Sequence, residues 1–206
     1  MKKYNKLAVF GGTFSPVHNG HIAAMKTYAD IVRPDALYII PTAIPPHKDR
    51  VDTVRDTDRL SMLQLAVSGF NTECEIVVSD IEILRGGKSY TVDTVDYLLN
   101  IANEVIIYCG TDMILTLDKW HDFDRLLKTV SVAYMQREED LRYSDDIEAK
   151  VKQLSSIYGT RFISLPPVSD EISSSMIRQM LHDNVRIDTL VPEKVAEYIY
   201  LHRLYE

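Results

Sequence analysis

The chain has 206 residues, of which 46% are hydrophobic and 26% are charged, a composition typical of a folded globular protein rather than a disordered one. A net charge of -7 argues against a general nucleic-acid-binding protein, but it leaves room for a small polyphosphate ligand beside a local cluster of basic side chains. No apolar stretch approaches the roughly 20 residues of a membrane-spanning helix, and the two cysteines, Cys74 and Cys109, favour a reducing, cytoplasmic compartment.

Short apolar runs alternate with amphipathic segments along the whole chain. The apolar runs predict strands at 6–10, 36–40, 75–84, 104–109, 130–135 and 161–165. The amphipathic segments predict helices at 19–32, 57–70, 91–102, 113–117, 123–127, 147–158, 172–183 and 192–204. The apolar side of the second of these helices is expected to consist of Leu60, Leu63, Leu65 and Val67. The polar, acidic segment 136–146 predicts a mobile surface loop.

Strands that alternate with helices predict an α/β fold in which helices cover both faces of a doubly wound parallel sheet. We expect the strand order 3-2-1-4-5 plus a short extra strand, so that a ligand binds where the order reverses, between strands one and four. We also expect a single domain, 1–206, with the sheet in 1–165 and a small helical part in 166–206.

The stretch between the first strand and the first helix, 11–21, combines a glycine turn with two histidines. Gly11 and Gly12 lack a Cβ atom, so their backbone can approach a ligand closely. Asn19 is expected to be the N-cap of the helix, whose first turn is a natural anion site. His18 and His21 can point toward the same place. This combination suits a polyphosphate, although a plain turn with two solvated histidines remains the alternative.

Other well-known ligand motifs do not match this stretch. It lacks the Gly-Lys-Ser/Thr ending of a Walker A loop and the third spaced glycine of a dinucleotide-binding fingerprint. The chain contains no HExxH motif and no spaced cluster of cysteines and histidines, so a protein-held zinc ion is not expected. The missing glycine motifs disfavour a P-loop kinase and a dinucleotide-dependent oxidoreductase.

Three further segments carry polar groups where a ligand would lie. A proline-rich loop after the second strand holds His47 and Lys48, and the fourth strand is followed by Gly110-Thr111-Asp112. Loops at the carboxyl ends of strands one and four meet at one crevice of a doubly wound sheet. The segment 173–178 begins a helix with three serines and Arg178, which can hold phosphate oxygens. The alternatives are an exposed basic loop tip and an ordinary serine cap beside a surface arginine.

Segment 11–21 closely resembles the GGTFDPxHxGH signature of the HxGH nucleotidyltransferases, with Ser15 where that family usually has Asp. Segment 172–178 resembles the ISSTxIR motif of the same proteins, with Ser175 in place of Thr. Narrower similarity lies in four strings, namely 45–48, 80–82, 89–94, and 110–112 followed by Trp120. Together these strings resemble the bacterial nicotinate-nucleotide adenylyltransferases.

The resemblance implies a Rossmann-like fold and a reaction. The family joins ATP and nicotinate mononucleotide to give deamido-NAD and pyrophosphate, by in-line attack and without a covalent intermediate. Magnesium would arrive with ATP, bound mainly by phosphates and water. Nucleic acid and membranes are not expected partners, and the sequence leaves a monomer and a homo-oligomer equally open. Two rival interpretations are another transferase of the superfamily, acting on phosphopantetheine or a polyol phosphate, and a non-catalytic nucleotide sensor.

The resemblance also implies a role for individual residues. The expected catalytic residues are His18, His21, Lys48 and Arg178. The expected ATP-binding residues are Gly11, Gly12, Thr13, Phe14, His18, His21, Gly110, Asp112, Ser174, Ser175 and Arg178. The residues expected to bind nicotinate mononucleotide are His47, Lys48, Tyr90, Thr91 and Trp120. Relatives often carry an aromatic residue where this chain has His121, and the alternative for Trp120 is a purely structural role in the core.

Overall fold

The computed structural model describes residues 2–46, 54–136, 143–168 and 172–205. Within this part of the chain, one sheet contains the strands β1 (Tyr4–Gly12), β2 (Ala36–Pro41), β3 (Glu75–Val78), β4 (Ala102–Gly110), β5 (Ser131–Met135) and β6 (Phe162–Leu165). The helices are α1 (Asn19–Val32), α2 (Asp56–Val67), α3 (Ile81–Arg85), α4 (Thr91–Leu98), α5 (Thr111–Leu115), α6 (Phe123–Thr129), α7 (Ser144–Tyr158), α8 (Ser174–His182) and α9 (Glu193–His202). A 3₁₀ turn covers Leu117–Lys119.

The six strands are parallel and follow the order β3-β2-β1-β4-β5-β6. The predicted order is therefore confirmed, and the extra strand, β6, lies at the edge next to β5. Since β1 is flanked by β2 and β4, the loop that follows it lies at the reversal point of the sheet.

Helices cover both faces of the sheet, which explains why the central parts of β1 and β4 are apolar runs buried on both sides. Successive side chains of β1 point to opposite faces, so Ala8 and Phe10 join one core cluster while Leu7 and Val9 join the other. The first cluster lies under α1, α2, α8 and α9, and the second lies under α4, α5, α6 and α7. The helical C-terminal part thus packs on the same face as α1.

The predicted third strand, 75–84, is correct only in its first half. β3 is an edge strand whose pairing with β2 ends at Val78, and the Ser79 N–H donates to the Ile39 carbonyl at 3.0 Å. The chain then forms the short helix α3, in which the Glu82 side chain is buried. The alternating apolar pattern of 75–84 favoured a strand. The pattern does not show the hydrogen bond that Glu82 accepts from Thr94 of α4, which holds this segment as a helix in the fold.

Most helix bounds differ from prediction by one to four residues, and the largest difference is at the end of α4. The helix predicted at 91–102 ends at Leu98, since a turn held by the Asn100 side chain on the Asp96 and Tyr97 carbonyls leads into β4. In α2, predicted Leu63 is buried and predicted Leu65 and Val67 are half-buried against the core, whereas predicted Leu60 belongs to neither core cluster. The buried residues of α2 are Asp58, Arg59, Met62, Leu63 and Ala66.

Some predicted features lie outside the described residues. These include His47, Lys48 and most of the predicted acidic loop, 136–146. The last residues of that predicted loop, from Ser144 onward, belong to α7. Among the described residues, no helix is both long enough and apolar enough to cross a membrane.

Candidate active site

The paired histidines cap the helix that carries them. His18, not Asn19 as predicted, is the N-cap of α1, with extended backbone angles of φ -139° and ψ 171°. The His21 N–H donates to His18 Nδ1 at 3.4 Å, and the His18 N–H donates to His21 Nδ1 at 3.3 Å. Asn19 instead donates from its side chain to the Thr189 carbonyl at 3.0 Å. An imidazole nitrogen can replace the usual carboxyl or hydroxyl oxygen of a capping box because it is also a hydrogen-bond acceptor.

This cap determines which ring nitrogen carries the proton. An Nδ1 atom that accepts a hydrogen bond cannot itself be protonated, so each neutral ring carries its proton on Nε2. The two ring centroids lie 3.7 Å apart, and His18 is almost completely buried. The structure therefore brings together the two histidines as predicted and gives each ring one N–H donor.

The two glycines of the turn have different structural reasons, close packing at Gly12 and an open cavity at Gly11. A Cβ atom on Gly12 would lie 2.9 Å from the ring of Phe14, which is buried and stacked on Phe10. A Cβ atom on Gly11, by contrast, would meet no other atom within 4 Å, and this residue faces a cavity. Because the Phe14 ring belongs to the core, the predicted contact between Phe14 and ATP can involve only its backbone.

A first cavity of about 270 Å³ opens between the carboxyl ends of β1 and β4. Its wall contains Gly11, His18, His21, Gly110 and Ser174, all of which were predicted to bind ATP. Apolar groups complete it, including Tyr108, whose ring stacks on Phe10 with centroids 4.2 Å apart. Predicted Asp112 is exposed on α5 beside Gly110.

The start of α8 is tied to the loop that precedes the histidines. Ser174 Oγ donates to the Pro16 carbonyl at 2.8 Å. Arg178 donates through Nη1 to the Ser15 carbonyl at 2.6 Å and through Nη2 to Ser175 Oγ at 3.1 Å. The structure thus brings the start of the predicted 173–178 motif to the first cavity. Arg178 holds the loop before His18 through the Ser15 carbonyl.

A second cavity of about 240 Å³ shares Gly11 and Met113 with the first. Predicted residues Gly12, Thr13, Tyr90, Thr91 and Trp120 line it. Tyr90 is the N-cap of α4, which follows a turn with left-handed φ values of 70° at Gly86 and 69° at Gly87. The Tyr90 ring stacks on that of His121, with centroids 4.1 Å apart.

Sequence reasoning missed two charged residues beside these cavities. Glu82 lines the second cavity and accepts a hydrogen bond from Thr94 Oγ1 at 2.8 Å. Burial raises the pKa of the Glu82 carboxyl, while hydrogen bonds from Ser89 and Thr94 and the charge of Arg85 oppose the rise. Arg59 is the second, and its contacts are described below. For Glu82 the available signal was a charged side chain within the apolar run 81–84. Arg59 follows a polar, charged stretch, 55–58, so the local pattern gave no signal of its burial.

Comparison with known proteins places the chain in a family. A protein-family model described as cytidylyltransferase-like matches residues 9–180. A protein of Caldicellulosiruptor saccharolyticus named "probable nicotinate-nucleotide adenylyltransferase" is 30% identical over 201 residues, which cover 98% of this chain and 99% of the relative. The chain belongs to the cytidylyltransferase-like family and, within it, to the nicotinate-nucleotide adenylyltransferases.

Further comparisons agree with this family. A relative of the same name from Oceanobacillus iheyensis is 32% identical, over 97% of this chain and 96% of its own length. The solved structure of Plasmodium falciparum nicotinic acid mononucleotide adenylyltransferase complexed with NaAD superposes with a TM-score of 0.76, covering 98% of this chain and 97% of that one. At 17% identity, that likeness shows the Rossmann-like fold. The resemblance seen in the sequence is thereby confirmed.

Proposed function

We infer that this member of the nicotinate-nucleotide adenylyltransferases transfers the adenylyl group of ATP to nicotinate mononucleotide, giving deamido-NAD and pyrophosphate. The observation that carries the inference is the pair of adjoining cavities at the carboxyl end of β1, which share Gly11 and Met113. One cavity has the histidines and the start of α8 in its wall, and the other has Trp120 and the start of α4. Two nucleotides can therefore meet across the glycine turn.

We assign ATP to the first cavity and the mononucleotide to the second. An oxygen of the mononucleotide 5′-phosphate attacks the α-phosphorus of ATP in line. The new P–O bond forms as the bond to the bridging oxygen of pyrophosphate breaks. Catalysis then consists of positioning two phosphates and stabilising the charge that develops between them.

The donors around the first cavity suit this charge. The Nε2–H groups of His18 and His21 are proposed to donate to ATP phosphate oxygens. Ser174, Ser175 and Arg178 are proposed to hold the outgoing pyrophosphate, since a guanidinium has five N–H donors and the loop uses only part of them. Lys48 and His47, which lie outside the described residues, and Asp112, for the ribose, keep the roles that the family resemblance implies.

We propose that Mg²⁺ reaches the site on the phosphates of ATP. Among the described residues, no group of three or more His, Cys, Asp or Glu side chains could hold a metal ion. The cavity walls instead present N–H and hydroxyl groups, which suit phosphates, and Mg²⁺ commonly keeps phosphate and water ligands. The ion would neutralise part of the triphosphate charge.

The test is a pyrophosphate-release assay with MgATP and nicotinate mononucleotide, in which the dinucleotide is quantified by chromatography. We expect one pyrophosphate for each deamido-NAD, and none with MgATP alone. Turnover with phosphopantetheine or a polyol phosphate instead would assign another acceptor. Nucleotide binding without pyrophosphate release would make the chain a sensor.

We propose that the protein works in a reducing cytoplasm. Cys74 and Cys109 are both free thiols, which is the state expected in a reducing cytoplasm.

A further inference from the structure

A buried arginine lies directly behind the glycine turn. The Arg59 side chain, in α2, has no exposed surface. Its Nη1 donates to the Thr13 carbonyl at 2.8 Å, and its Nη2 donates to Asp56 Oδ1 at 2.7 Å. Burying a charge is unfavourable unless the charge is paired and hydrogen-bonded. Asp56 provides the opposite charge, and a backbone oxygen 46 residues away provides the second acceptor.

The contact with Thr13 fixes the orientation of one peptide group. A peptide bond is planar and trans, so its C=O and N–H groups point in opposite directions. Because the Thr13 carbonyl points at Arg59, the Phe14 N–H of the same peptide points away from α2. No hydrogen bond between described residues uses this N–H. Thr13 itself lines the second cavity, next to Gly11 and Gly12.

The backbone at this point needs support from its surroundings. Phe14 has a φ of 51°, in the left-handed region that residues other than glycine rarely occupy. Its ring is held between Phe10 and the edge of His21, whose centroids lie 6.2 and 5.1 Å away. The ring contacts hold the side chain of Phe14, and Arg59 holds the peptide in front of it. Such conformations persist where several contacts determine them together.

We propose that Arg59 is a positioning residue that aims the Phe14 N–H at a substrate phosphate. The proposal rests on the function inferred above, since it assigns this N–H to the place where the two nucleotides meet. A guanidinium is required because its planar fork holds the Thr13 carbonyl and the Asp56 carboxylate at the same time. A lysine ammonium keeps the charge but does not offer that fixed geometry.

One amide resonance can report on this peptide directly. Thr13-Phe14 is the only Thr-Phe pair in the sequence, so ¹³C-carbonyl threonine with ¹⁵N phenylalanine labels a single detectable peptide. We expect nicotinate mononucleotide, which we assign to the second cavity, to shift this amide resonance in the wild type. In Arg59→Met, the resonance should move in the free protein and its response to nicotinate mononucleotide should shrink. A response equal to that of the wild type would overturn the proposal.

The matched control is Arg55→Met at the N-cap of the same helix. Arg55 forms an ion pair with Asp58 at 3.0 Å, and its side chain is 80% exposed. Its contacts stay on its own helix, so this variant loses an arginine-aspartate pair without touching the glycine turn. We expect its amide spectrum and its kinetics to match the wild type.

Steady-state kinetics distinguish a misoriented Phe14 N–H group from a loss of folded protein. If the N–H contacts charge that develops during transfer, Arg59→Met should lower kcat by about 10–10²-fold while KM for ATP changes by less than about threefold. The kcat of Arg59→Lys should lie between those of Arg59→Met and the wild type. If Arg59→Met does not fold, kcat and the Thr13-Phe14 amide resonance are both measured on Arg59→Lys instead. An unchanged kcat in Arg59→Lys together with an unshifted Thr13-Phe14 amide would refute the proposal. A wild type without turnover would refute the proposed function, and the labelled amide would still decide the role of Arg59.

Discussion

At the residue scale, His18 and His21 combine two tasks in one pair of side chains. Their Nδ1 atoms accept from the first backbone N–H groups of α1, and their Nε2 atoms carry the protons. The same hydrogen bonds that begin the helix therefore also orient the donors for a ligand. A loss of either ring removes a cap and a donor together.

We expect His18→Ala and His21→Ala each to lower turnover by about 10²-fold or more while the fold stays intact. Removing one hydrogen-bond donor to the charge that develops in a transition state commonly lowers the rate by about this factor. Steady-state rates and circular dichroism measure both effects. The loss of the His18 cap should cost only about 1 kcal/mol of the free energy of unfolding.

His18→Asn is the matched control for the cap. Asparagine keeps a capping acceptor but lacks the Nε2–H donor, so this variant should melt closer to the wild type than His18→Ala and be equally slow. Near-normal rates in both alanine variants would remove the histidines from the mechanism.

A second residue-scale prediction concerns Ser15, which stands where the family usually has Asp. Ser15 is buried, and its Oγ lies 3.2 Å from the Tyr205 hydroxyl. In Ser15→Asp the carboxylate could accept from that hydroxyl and would lie near the Arg178 guanidinium, which already binds the Ser15 carbonyl. We therefore expect activity within about tenfold of the wild type in the same assay. A larger loss would mean that the loop has been rebuilt around the serine.

At the scale of elements, helix starts define both cavities. α8 begins at the first cavity and α4 at the second, so each presents backbone N–H groups that no residue within the helix accepts from. Gly86 and Gly87, both with left-handed φ values, let the chain turn back before α4.

This arrangement predicts a preference for nicotinate mononucleotide over its amide. The α4 start, with Tyr90 and Thr91, suits a carboxylate, and Trp120 can stack on the pyridine ring. An amide would place its NH₂ group against these donors and leave them unpaired, at about 1–3 kcal/mol. We expect kcat/KM to favour the acid by about 10–10²-fold with saturating MgATP. Equal use of the amide would rule out a carboxylate pocket at α4 without affecting adenylyl transfer.

The contact between α3 and α4 predicts a pH dependence of stability. Burial raises the pKa of Glu82 above its ordinary value of 4.5, so the folded state binds this proton more tightly than the unfolded state. The stabilisation is complete below 4.5 and is lost as the pH rises through the raised pKa. The melting temperature of Glu82→Gln relative to the wild type should therefore increase as the pH rises from about 4 to about 8.

Glu75 offers a control of opposite sign. A hydrogen bond from the Tyr4 hydroxyl, at 2.8 Å, lowers the pKa of the Glu75 carboxyl below 4.5. Its stabilisation is complete above 4.5 and is lost as the pH falls through the lowered pKa, so the deficit of Glu75→Gln should be constant from about pH 5 upward and shrink only below 4.5. Identical pH trends in the two variants would contradict both assignments.

At the scale of the whole molecule, the C-terminal part closes back onto the segment that follows β1. Tyr205 reaches Ser15 across 190 residues, and Ser174 reaches Pro16 across 158. Tyr198 of α9 donates to Asp58 of α2 at 3.0 Å. The C-terminal helices and Tyr205 are therefore tied to the segment that follows β1 and to α2.

We expect Tyr205→Phe to lower the free energy of unfolding by about 1 kcal/mol, the value of one buried hydrogen bond. A double-mutant cycle with Ser15→Ala, followed by urea unfolding, isolates this contact and should give a coupling of at least about 0.5 kcal/mol. Strict additivity of the two substitutions would show that the hydroxyl pair contributes nothing.

The sequence by itself determined the alternation of strands and helices, the strand order expected of a doubly wound sheet, and the residues of the glycine turn and of α8. The alternation of elements and the two motifs can be recognised from local periodicity and from residue types within a few neighbouring positions. The cap formed by His18, the α3 helix at Glu82 and the burial of Arg59 were decided by the tertiary structure. The cap passes from Asn19 to His18 because the Asn19 side chain donates to the Thr189 carbonyl, 170 residues away. Glu82 likewise accepts a hydrogen bond from Thr94 of another helix, so contacts formed by the fold outweigh the local preference of each side chain. Arg59 is buried because the Thr13 carbonyl and Asp56 together meet it in the fold, and only the packed sheet and helices bring α2 against the turn that follows β1.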